Sequence, residues 1–459
     1  MVTRMTEHIS RISKFFTDRN GEDPAKASAR RRNFSVTLKI GRDVVTSRSL
    51  QLAALTAAKV ASRCFPKAVY VDAPNDVLNS AYLVSPRMFQ TVAQALRSEL
   101  GASAFRKVQG GSVLLFGDAL HDGDGLRVTF DGWIGAAGPL RLLARMQERN
   151  HCALAPILAA AFAISEVFSS FANLDMKSTK RIVALSLWRP DLIYTDPSAV
   201  GPVVTELPTR AWLLGLGHLG NAYLWAFANL GHENTEDLLL YLLDFDTVEK
   251  PNLETGILFN KKNLGHLKTR VCSSWLEQLG IKTRLIERHF DHNFRRRDGE
   301  PALALSGFDN NEARHYLTGA AFGRVIDSGV GGTANNFDSI SVRTWPNSRA
   351  ADDIWPLLSE IEKRLAAEAT EKAARENSGY RKFDRCGIVS VAGKSVAVPF
   401  VGLTAATLVL ADVLRLLNDG KQIQNLKVRL GSLAPTFVWS EYTTDDLAAV
   451  PYQSISPTR

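Results

Sequence analysis

The sequence predicts an α/β fold whose second half is built around a mostly parallel sheet. Two short apolar strands, at 210–214 and 238–243, flank a predicted helix at 221–230. Neither strand alternates polar with apolar residues, which is typical of strands that are buried on both faces of a parallel sheet. Parallel neighbours need a crossover connection such as this helix. Further strands of the same kind are predicted at 283–287 and 324–327.

The first half of the chain also shows an α/β pattern. Strands are predicted at 112–116 and 126–130, where glycine-rich turns precede each apolar run. A buried helix is predicted at 153–171, and the polar segment at 1–33 is predicted to be a solvated arm with one short helix. The densest charge cluster of this arm is Arg30-Arg31-Arg32.

An internal similarity bears on how the two halves are related. Ala159-Ala160 and Glu166 recur as Ala405-Ala406 and Asp412 at the same spacing, each within an alanine-rich helix predicted for that half. The similarity indicates either two related α/β halves or chance resemblance between two alanine-rich helices. No Gly-x-Gly-x-x-Gly sequence occurs before residue 215, so a related first half would lack this glycine motif.

Composition limits the possible classes of protein. The 459 residues suggest two domains, and 55 Lys and Arg against 47 Asp and Glu give a net charge of +8 without an aromatic-studded basic run. We therefore expect no nucleic acid partner. The longest apolar stretch, at 154–168, is expected to be too short to span a membrane, and no signal peptide is visible. These features predict a soluble, cytoplasmic protein.

The four cysteines are widely spaced and form no Cys-x-x-Cys pair. A disulfide framework and a structural zinc site made of cysteines are therefore not expected. Low cysteine usage is consistent with a reducing compartment. The four positions are Cys64, Cys152, Cys272 and Cys386. The first three are predicted to be core or structural residues.

A glycine-rich turn predicts a nucleotide site in the second half. Gly215-Leu-Gly-His-Leu-Gly220 lies between the strand at 210–214 and the following helix, the context in which such glycines let backbone N–H groups approach a phosphate. Asp244 follows the next strand, where a carboxylate can accept hydrogen bonds from ribose hydroxyls. These residues alone favour a nicotinamide dehydrogenase, with a purely structural β-α-β unit as the alternative.

Four further segments argue against a dehydrogenase, because in this order they resemble the ThiF/MoeB and ubiquitin-activating enzyme superfamily. The segments are Asp244-Phe-Asp-Thr-Val-Glu-Lys-Pro-Asn-Leu253, Phe259 with Leu264-Gly-His-Leu-Lys268, Gly307-Phe-Asp-Asn-Asn-Glu-Ala-Arg314, and the group Cys386-Gly387, Val391-Ala-Gly393 and Val398-Pro-Phe-Val401. The resemblance implies ATP as a substrate and an adenylation reaction, in which a carboxylate is joined to the α-phosphate. This reaction brings two anions together and therefore needs cations beside the phosphates.

The resemblance also implies a role for each polar position. Lys268 would contact the phosphates, and Asp309 would hold a magnesium ion, which prefers oxygen ligands. The residues Gly215, Gly217, Gly220, Asp244, Asp246, Asn252 and Asn310 would line the nucleotide, with Arg314 as a support. Helix capping by Asp309 and turn capping by Asp246 are the structural alternatives.

One position departs from the superfamily pattern. The chain has Asn252-Leu-Glu-Thr255-Gly256 where the family usually has Asn-Leu-x-Arg-Gln, so Thr255 occupies the place of an expected phosphate-contacting arginine. Lys261, Lys262 or an arginine from the first half could supply the missing charge. If no cation replaces it, the chain could be a non-catalytic scaffold, because loss of such a charge can reduce turnover by orders of magnitude.

Cys386 distinguishes simple adenylation from thioester formation. Arg381, Lys382 and Arg385 precede it and Gly387 follows, and nearby cations raise the thiolate fraction of a cysteine. We predict that Cys386 lies in a mobile loop between a charged helix ending near Asn377 and a strand beginning near 388. A thiolate there could attack an acyl adenylate. The alternative is a small residue at a turn.

The layout most resembles activating enzymes of bacterial ubiquitin-like conjugation operons, several of which are linked to phage defence. It implies two Rossmann-like adenylation-type halves, a degenerate domain at 1–200 and an active domain at 201–459 with a catalytic-cysteine loop at about 356–390. The expected partners are the C-terminal tail of a ubiquitin-like protein and a separate conjugating enzyme, with the chain as a monomer or homodimer. Adenylation without a thioester, as in sulfur-carrier or peptide-modifying relatives, is the first alternative.

Overall fold

The computed structural model describes residues 10–84, 88–106, 108, 110–440 and 444–456, without the side chains of residues 385, 386, 390, 444 and 445. Within this part of the chain, the first half forms a six-stranded sheet and the second half an eight-stranded sheet. The two sheets contain parallel strands flanked by helices. This architecture confirms the predicted α/β fold with mostly parallel sheets.

The sheet of the first half has a parallel part and an antiparallel edge. Its strands lie in the order β2-β1-β3-β4-β5-β6, in which the β4–β5 and β5–β6 pairs are antiparallel. The strands are β1 (Val36–Ile40), β2 (Val69–Asp72), β3 (Ser112–Phe116), β4 (Leu126–Asp131), β5 (Ile134–Pro139) and β6 (Val183–Ser186). The α-helices of this half are α1 (Arg11–Asn20), α2 (Pro24–Asn33), α3 (Arg48–Cys64), α4 (Asn75–Leu78), α5 (Val92–Leu100) and α6 (Leu154–Phe171).

The second half repeats this plan on a larger scale. The sheet order is β10-β9-β8-β11-β12-β13-β14-β15, parallel from β10 to β12 and antiparallel beyond, while β7 pairs with β16. The strands are β7 (Glu206–Pro208), β8 (Arg210–Leu214), β9 (Leu239–Leu243), β10 (Lys282–Ile286), β11 (Leu303–Ser306), β12 (Arg324–Val330), β13 (Ser339–Trp345), β14 (Gln422–Arg429), β15 (Thr436–Ser440) and β16 (Tyr452–Ser454). The α-helices are α7 (His218–Ala228), α8 (Asn252–Thr255), α9 (Lys268–Glu277), α10 (Asn311–Tyr316), α11 (Ala351–Ile354), α12 (Glu360–Glu376), α13 (Arg385–Ala392), α14 (Pro399–Leu417) and α15 (Thr444–Ala448).

Two long apolar helices join the halves. α6 and α14 pack against each other, and α6 also packs on β5 while α14 packs on β12. Both are long and apolar enough to cross a membrane, which corrects the expectation that the 154–168 stretch is too short, but 89% of α6 and all of α14 are buried within the protein. Glu166 of α6 and Asp412 of α14 each bind an arginine, which favours the interpretation that the halves are related.

Residues 10–33 are folded into the protein, so the prediction of a solvated arm is wrong for them, while residues 1–9 of that arm lie outside the described residues. Helices α1 and α2 form an antiparallel pair in which Phe15 and Phe16 are fully buried. Arg31, from the cluster predicted to be solvated, is only 1% exposed. Two aromatic residues in α1 provide the apolar area that anchors this segment.

The glycine turn of the second half lies at the carboxyl ends of parallel strands. In the first half, the corresponding edge of the sheet is occupied by carboxylates. Asp43 follows β1, Asp118 follows β3, and the amide of Asp118 donates to Asp43 Oδ1 at 2.9 Å. A Cβ on Gly117 would lie 2.1 Å from Asp43 Oδ1. Negative side chains packed this closely disfavour a phosphate at this edge.

A buried ion pair cluster ties the first half to the loop that follows α8. Glu99 of α5 binds Lys59 at 2.7 Å and also Arg63, while Arg63 Nη2 donates to the carbonyl oxygens of Ile257 and Phe259. Burial raises the pKa of Glu99, but Arg63 and Lys59 oppose it more strongly and lower the pKa to about 2. The charged form of Glu99 therefore stabilises the contact between the halves.

We expect Glu99→Gln to lower the free energy of unfolding by about 3 kcal/mol at pH 7. A carboxylate whose folded pKa lies below its unfolded value contributes stability above that unfolded value, and the contribution disappears as the pH falls from about 4.5 towards 2. The difference between variant and parent, measured by denaturant unfolding, should therefore shrink below pH 4. The exposed Glu236→Gln serves as control, and a Glu99→Gln deficit that is independent of pH would contradict the assignment.

Candidate nucleotide site

The glycine turn connects β8 to α7 at the carboxyl edge of the sheet. Gly215 has a φ of 82°, a left-handed conformation that favours glycine. A Cβ on Gly220 would lie 2.0 Å from the carbonyl oxygen of Gly215, so only glycine permits this close packing. Gly217 is the N-cap of α7, which therefore begins at His218 rather than at the predicted 221. The turn thus presents a helix N-terminus of the kind that binds phosphate groups.

Asp244 braces this turn from the end of β9. Its carboxylate accepts hydrogen bonds from the backbone N–H groups of Leu216 at 2.7 Å and Asp246 at 2.8 Å. Asp244 is 7% exposed. Burial raises its pKa above the ordinary value, and Lys268 opposes this effect.

Lys268 brings a positive charge to the same edge. Its Nζ lies 2.6 Å from Asp246 Oδ2 and 3.9 Å from Asp244 Oδ1, and its backbone N–H donates to the carbonyl oxygen of Asp246. The side chain of Lys268 is 8% exposed, whereas that of Asp246 is 49% exposed. The structure thus brings together three of the predicted site residues, with a buried cation between two carboxylates.

Asn252 and Thr255 are the first and last residues of the short helix α8, and the structure shows no bond from either to Lys268, Asp244 or Asp246 among the described residues. Asn252 Oδ1 accepts from the backbone N–H of Glu249 at 2.8 Å and so closes the turn before α8. Thr255 is 1% exposed, and its hydroxyl donates to the carbonyl oxygen of Pro251. The position expected to hold an arginine is therefore a packed one. Lys261 and Lys262 lie on an exposed turn, without a bond to the site residues in the described chain.

Asp309 lies on the loop between β11 and α10 and is exposed. Asn310, not Asp309, caps α10, because its Oδ1 accepts from the backbone N–H of Ala313 at 2.8 Å. The capping alternative for Asp309 is therefore wrong. Of the two roles considered for the Asp309 carboxylate, magnesium binding therefore remains.

Arg314 is a buried support for that loop. It lies 3.1 Å from Asp327 Oδ2 in β12 and donates to the carbonyl oxygen of Phe308, immediately before Asp309. Trp355 Nε1 also donates to Asp327, at 3.2 Å. Arg314 therefore acts on the position of Asp309, as the sequence predicted for a supporting residue.

The sequence suggested an arginine from the first half near the site but did not identify which one, and the structure points to Arg11. It is the first residue of α1, and its charge interacts with the carboxylates of Asp309 and Glu249. Burial lowers its pKa, and its Nε is buried without a hydrogen-bond partner in the described part of the chain. Arg11 is thus a first-half arginine close to the predicted site residues, and its role as the replacement cation for Thr255 stays a prediction. The sequence contained no motif around Arg11 that could have singled it out.

His218 adds no charge to the site at neutral pH. Its pKa is lowered to about 4, first by burial and then by the neighbouring Arg11, with a smaller opposing effect from a hydrogen bond to the backbone of Val398. The neutral imidazole packs on Gly402 of α14, where a Cβ would lie 2.5 Å from His218 Nε2. Arg11 and Lys268 are therefore the cations that the described residues place here.

The cysteine segment differs from the sequence prediction. Cys386 lies in helix α13, which Asp384 caps by accepting from the backbone N–H of Gly387 at 2.8 Å, so the predicted loop and strand are wrong. The side chain of Cys386 lies outside the described residues. The other cysteines are buried, as predicted, and burial raises their pKa values: Cys64, Cys152 and Cys272.

With this geometry established, comparison with known proteins gives the family. Two family models match the chain, the BilD N-terminal domain over residues 35–187 and the BilD C-terminal domain over residues 207–420. The bacterial E1-like protein BilD of Collimonas sp. (strain OK412) is 32% identical over 418 residues, which cover 91% of this chain and 90% of that protein. The chain belongs to the BilD family of bacterial E1-like proteins.

The solved structures that match the chain are more distant than this BilD relative. Escherichia coli MccB is 16% identical over 55% of the chain, with a TM-score of 0.34, and the chain spans 63% of MccB. The structure of MccB with ATP gives 16% identity over 50% of the chain, with a TM-score of 0.36 and 64% of MccB covered. The family assignment therefore rests on the BilD relative.

Proposed function

We propose that this chain uses ATP and magnesium to adenylate the C-terminal carboxylate of a ubiquitin-like protein and then transfers it to Cys386 as a thioester. The observation that carries the proposal is a pair of cations near the glycine turn: Lys268, between Asp244 and Asp246, and Arg11, whose charge interacts with Asp309. A dehydrogenase transfers a hydride and has no need of cations placed for a triphosphate. The E1-like BilD relative supports the same activity.

The cations suit the first chemical step. A carboxylate oxygen attacks the α-phosphorus of ATP, the bond to the β-phosphate oxygen breaks, and pyrophosphate leaves. Negative charge accumulates on the phosphates in the transition state, and preorganised cations stabilise it where water is excluded. The 8% exposure of the Lys268 side chain places one of these charges in such an environment.

Magnesium fits the donors that are present. The described residues contain no group of three or more His, Cys, Asp or Glu side chains arranged for a metal, but magnesium is usually held by one or two carboxylates together with substrate phosphates and water. Asp309 is an exposed carboxylate at this edge that, unlike Asp246, is not paired with Lys268, and it would hold the ion. When bound, the ion would neutralise part of the triphosphate charge.

The second step uses Cys386. Its thiolate attacks the acyl carbon of the adenylate, the thioester bond forms, and AMP leaves with the electron pair of the broken anhydride bond. Handover to a conjugating enzyme would follow, in the cytoplasm and in a conjugation pathway of the antiviral type. The support for this step is sequence position, because Cys386 follows three basic residues and nearby cations favour a thiolate.

ATP–pyrophosphate exchange tests both steps in one experiment. We expect the full chain to catalyse exchange with its cognate ubiquitin-like protein, but not with the same protein carrying a C-terminal amide. Cys386→Ala should keep exchange within about twofold while losing the thiol-sensitive adduct, because Cys386 acts only after the adenylate has formed. The matched control is Cys152→Ala, which removes a buried thiol and should keep the adduct.

Each contrary outcome has a distinct meaning. Exchange by the unaltered chain without any thiol-sensitive adduct would indicate adenylation without a thioester, as in sulfur-carrier or peptide-modifying relatives. An adduct that survives in Cys386→Ala would exclude Cys386 as the residue that forms the thioester. Binding of the ubiquitin-like protein without any exchange would indicate the scaffold that the threonine at position 255 suggested. Binding of NAD without binding of ATP would overturn the proposal as a whole.

A further inference from the structure

A buried arginine connects the N-terminal helix pair to the nucleotide site. Arg31 of α2 is 1% exposed. Its Nε donates to the carbonyl oxygen of Cys64 at 2.8 Å, and its Nη2 donates to that of Arg63 at 2.6 Å. Its Nη1 donates to Ser10 Oγ at 2.8 Å and lies 3.3 Å from Glu254 Oε1. One buried guanidinium thus contacts α1, α3 and α8.

Glu254 completes the connection from the side of the nucleotide loop. It precedes Thr255 in α8, and its carboxylate accepts a hydrogen bond from the hydroxyl of Ser10 as well as from Arg31. Ser10 is the N-cap of α1, since its Oγ also accepts from the backbone N–H of Ser13 at 3.0 Å. Arg11 is the next residue along the chain. The contacts of Glu254 therefore fix the end of α1 that carries Arg11.

We infer that Arg31 and Glu254 are positioning residues that hold the N-terminus of α1 so that Arg11 stays close enough to Asp309 for their charges to interact. This inference rests on the proposed function, since Arg11 matters there as a cation for the triphosphate. It also explains how position 255 can be a packed threonine. The loop holds an arginine of the first half in place through Glu254, instead of supplying one itself.

The rest of α1 has anchors of its own, so the role of Glu254 can be isolated. Phe15 and Phe16 are buried in the core. At the other end of the helix, Asn377 Nδ2 donates to the carbonyl oxygen of Thr17 at 2.8 Å, and Tyr380 donates to Asp18 Oδ1 at 2.7 Å. Loss of Glu254 should therefore loosen the hold on Ser10 and Arg11, because Ser10 then keeps only its bond to Arg31 across the helices, while leaving the helix in its place.

Titration of the full chain with ATP–magnesium and with adenosine tests this inference. We expect Glu254→Ala to weaken ATP binding about tenfold, which is the usual effect of losing one hydrogen bond between charged groups, and to change adenosine binding by less than about twofold, because adenosine has no phosphates. Glu254→Gln should give an intermediate value. Arg11→Ala combined with Glu254→Ala should bind ATP no more weakly than Arg11→Ala alone, because both changes remove one interaction.

The control is Glu166→Gln, which weakens a comparably buried bridge to Arg181 that involves no site residue. It should leave both titrations unchanged. Equal losses of ATP and adenosine binding in Glu254→Ala, or additive losses with Arg11→Ala, would reduce Glu254 to a structural role and overturn the inference. Normal ATP binding by Glu254→Ala would also overturn it. If the unaltered chain binds no ATP, the proposed function fails with it, whereas binding without exchange removes only the adenylation step.

Discussion

Arg11→Ala is expected to reduce ATP–pyrophosphate exchange by about 100-fold or more, because it removes a cation placed where a triphosphate would bind. Without this charge, the carboxylates of Asp309 and Glu249, with which Arg11 interacts, would face the phosphates uncompensated. Arg11→Lys should be intermediate, since lysine keeps the charge but loses the planar guanidinium that binds phosphate oxygens in pairs. Exchange rates at saturating ubiquitin-like protein provide the measurement.

Arg19→Ala is the matched control for this prediction. Arg19 lies in the last turn of the same helix and is exposed, so its removal changes the net charge by the same amount at the far end of α1. Its exchange rate should stay within about twofold of the parent rate, as for surface substitutions generally. Equal losses in both variants would indicate an effect on the helix, and full exchange by Arg11→Ala would exclude Arg11 from the site.

The part of the site that lies near one edge of the sheet could be predicted from sequence. Gly215, Asp244 and Asp309 each follow a parallel strand, and parallel strands carry such residues to one edge. Motif order assigned Lys268 and Asp246 to one site but did not predict that they pair; the pair forms because the segment between them folds back on itself. Local patterns sufficed where the strands themselves set the geometry.

Contacts between residues that are distant in sequence could not be predicted in this way. Arg31 looks like one member of a solvated charge run, yet its partner Glu254 lies 223 residues away. Nothing local distinguishes a buried arginine from an exposed one, because burial depends on which helix packs over it. The helix at Cys386 was missed for another reason, since a helix end near Asn377 and a strand expected near 388 suggested a loop between them, whereas the Asp384 cap permits a helix start.

The second large effect is expected when Lys268, which lies between Asp244 and Asp246, is removed. Lys268→Ala should lower ATP–pyrophosphate exchange by about 100-fold or more and the free energy of unfolding by about 3 kcal/mol at pH 8, since it leaves the buried Asp244 without its counter-charge. The pKa of Asp244, already raised by burial, should rise further. Denaturant unfolding and exchange rates measure the two effects.

The pH dependence separates this explanation from a simple loss of packing. An acid whose folded pKa lies above its unfolded value costs stability as the pH rises from the unfolded to the folded pKa, so the deficit of Lys268→Ala should shrink between pH 8 and pH 5. Lys282→Ala is the matched control, because Lys282 is exposed at the opposite end of β10 and should show no deficit. A deficit in Lys268→Ala that stays constant with pH would mean that packing, and not the charge facing Asp244, accounts for the lysine at this position.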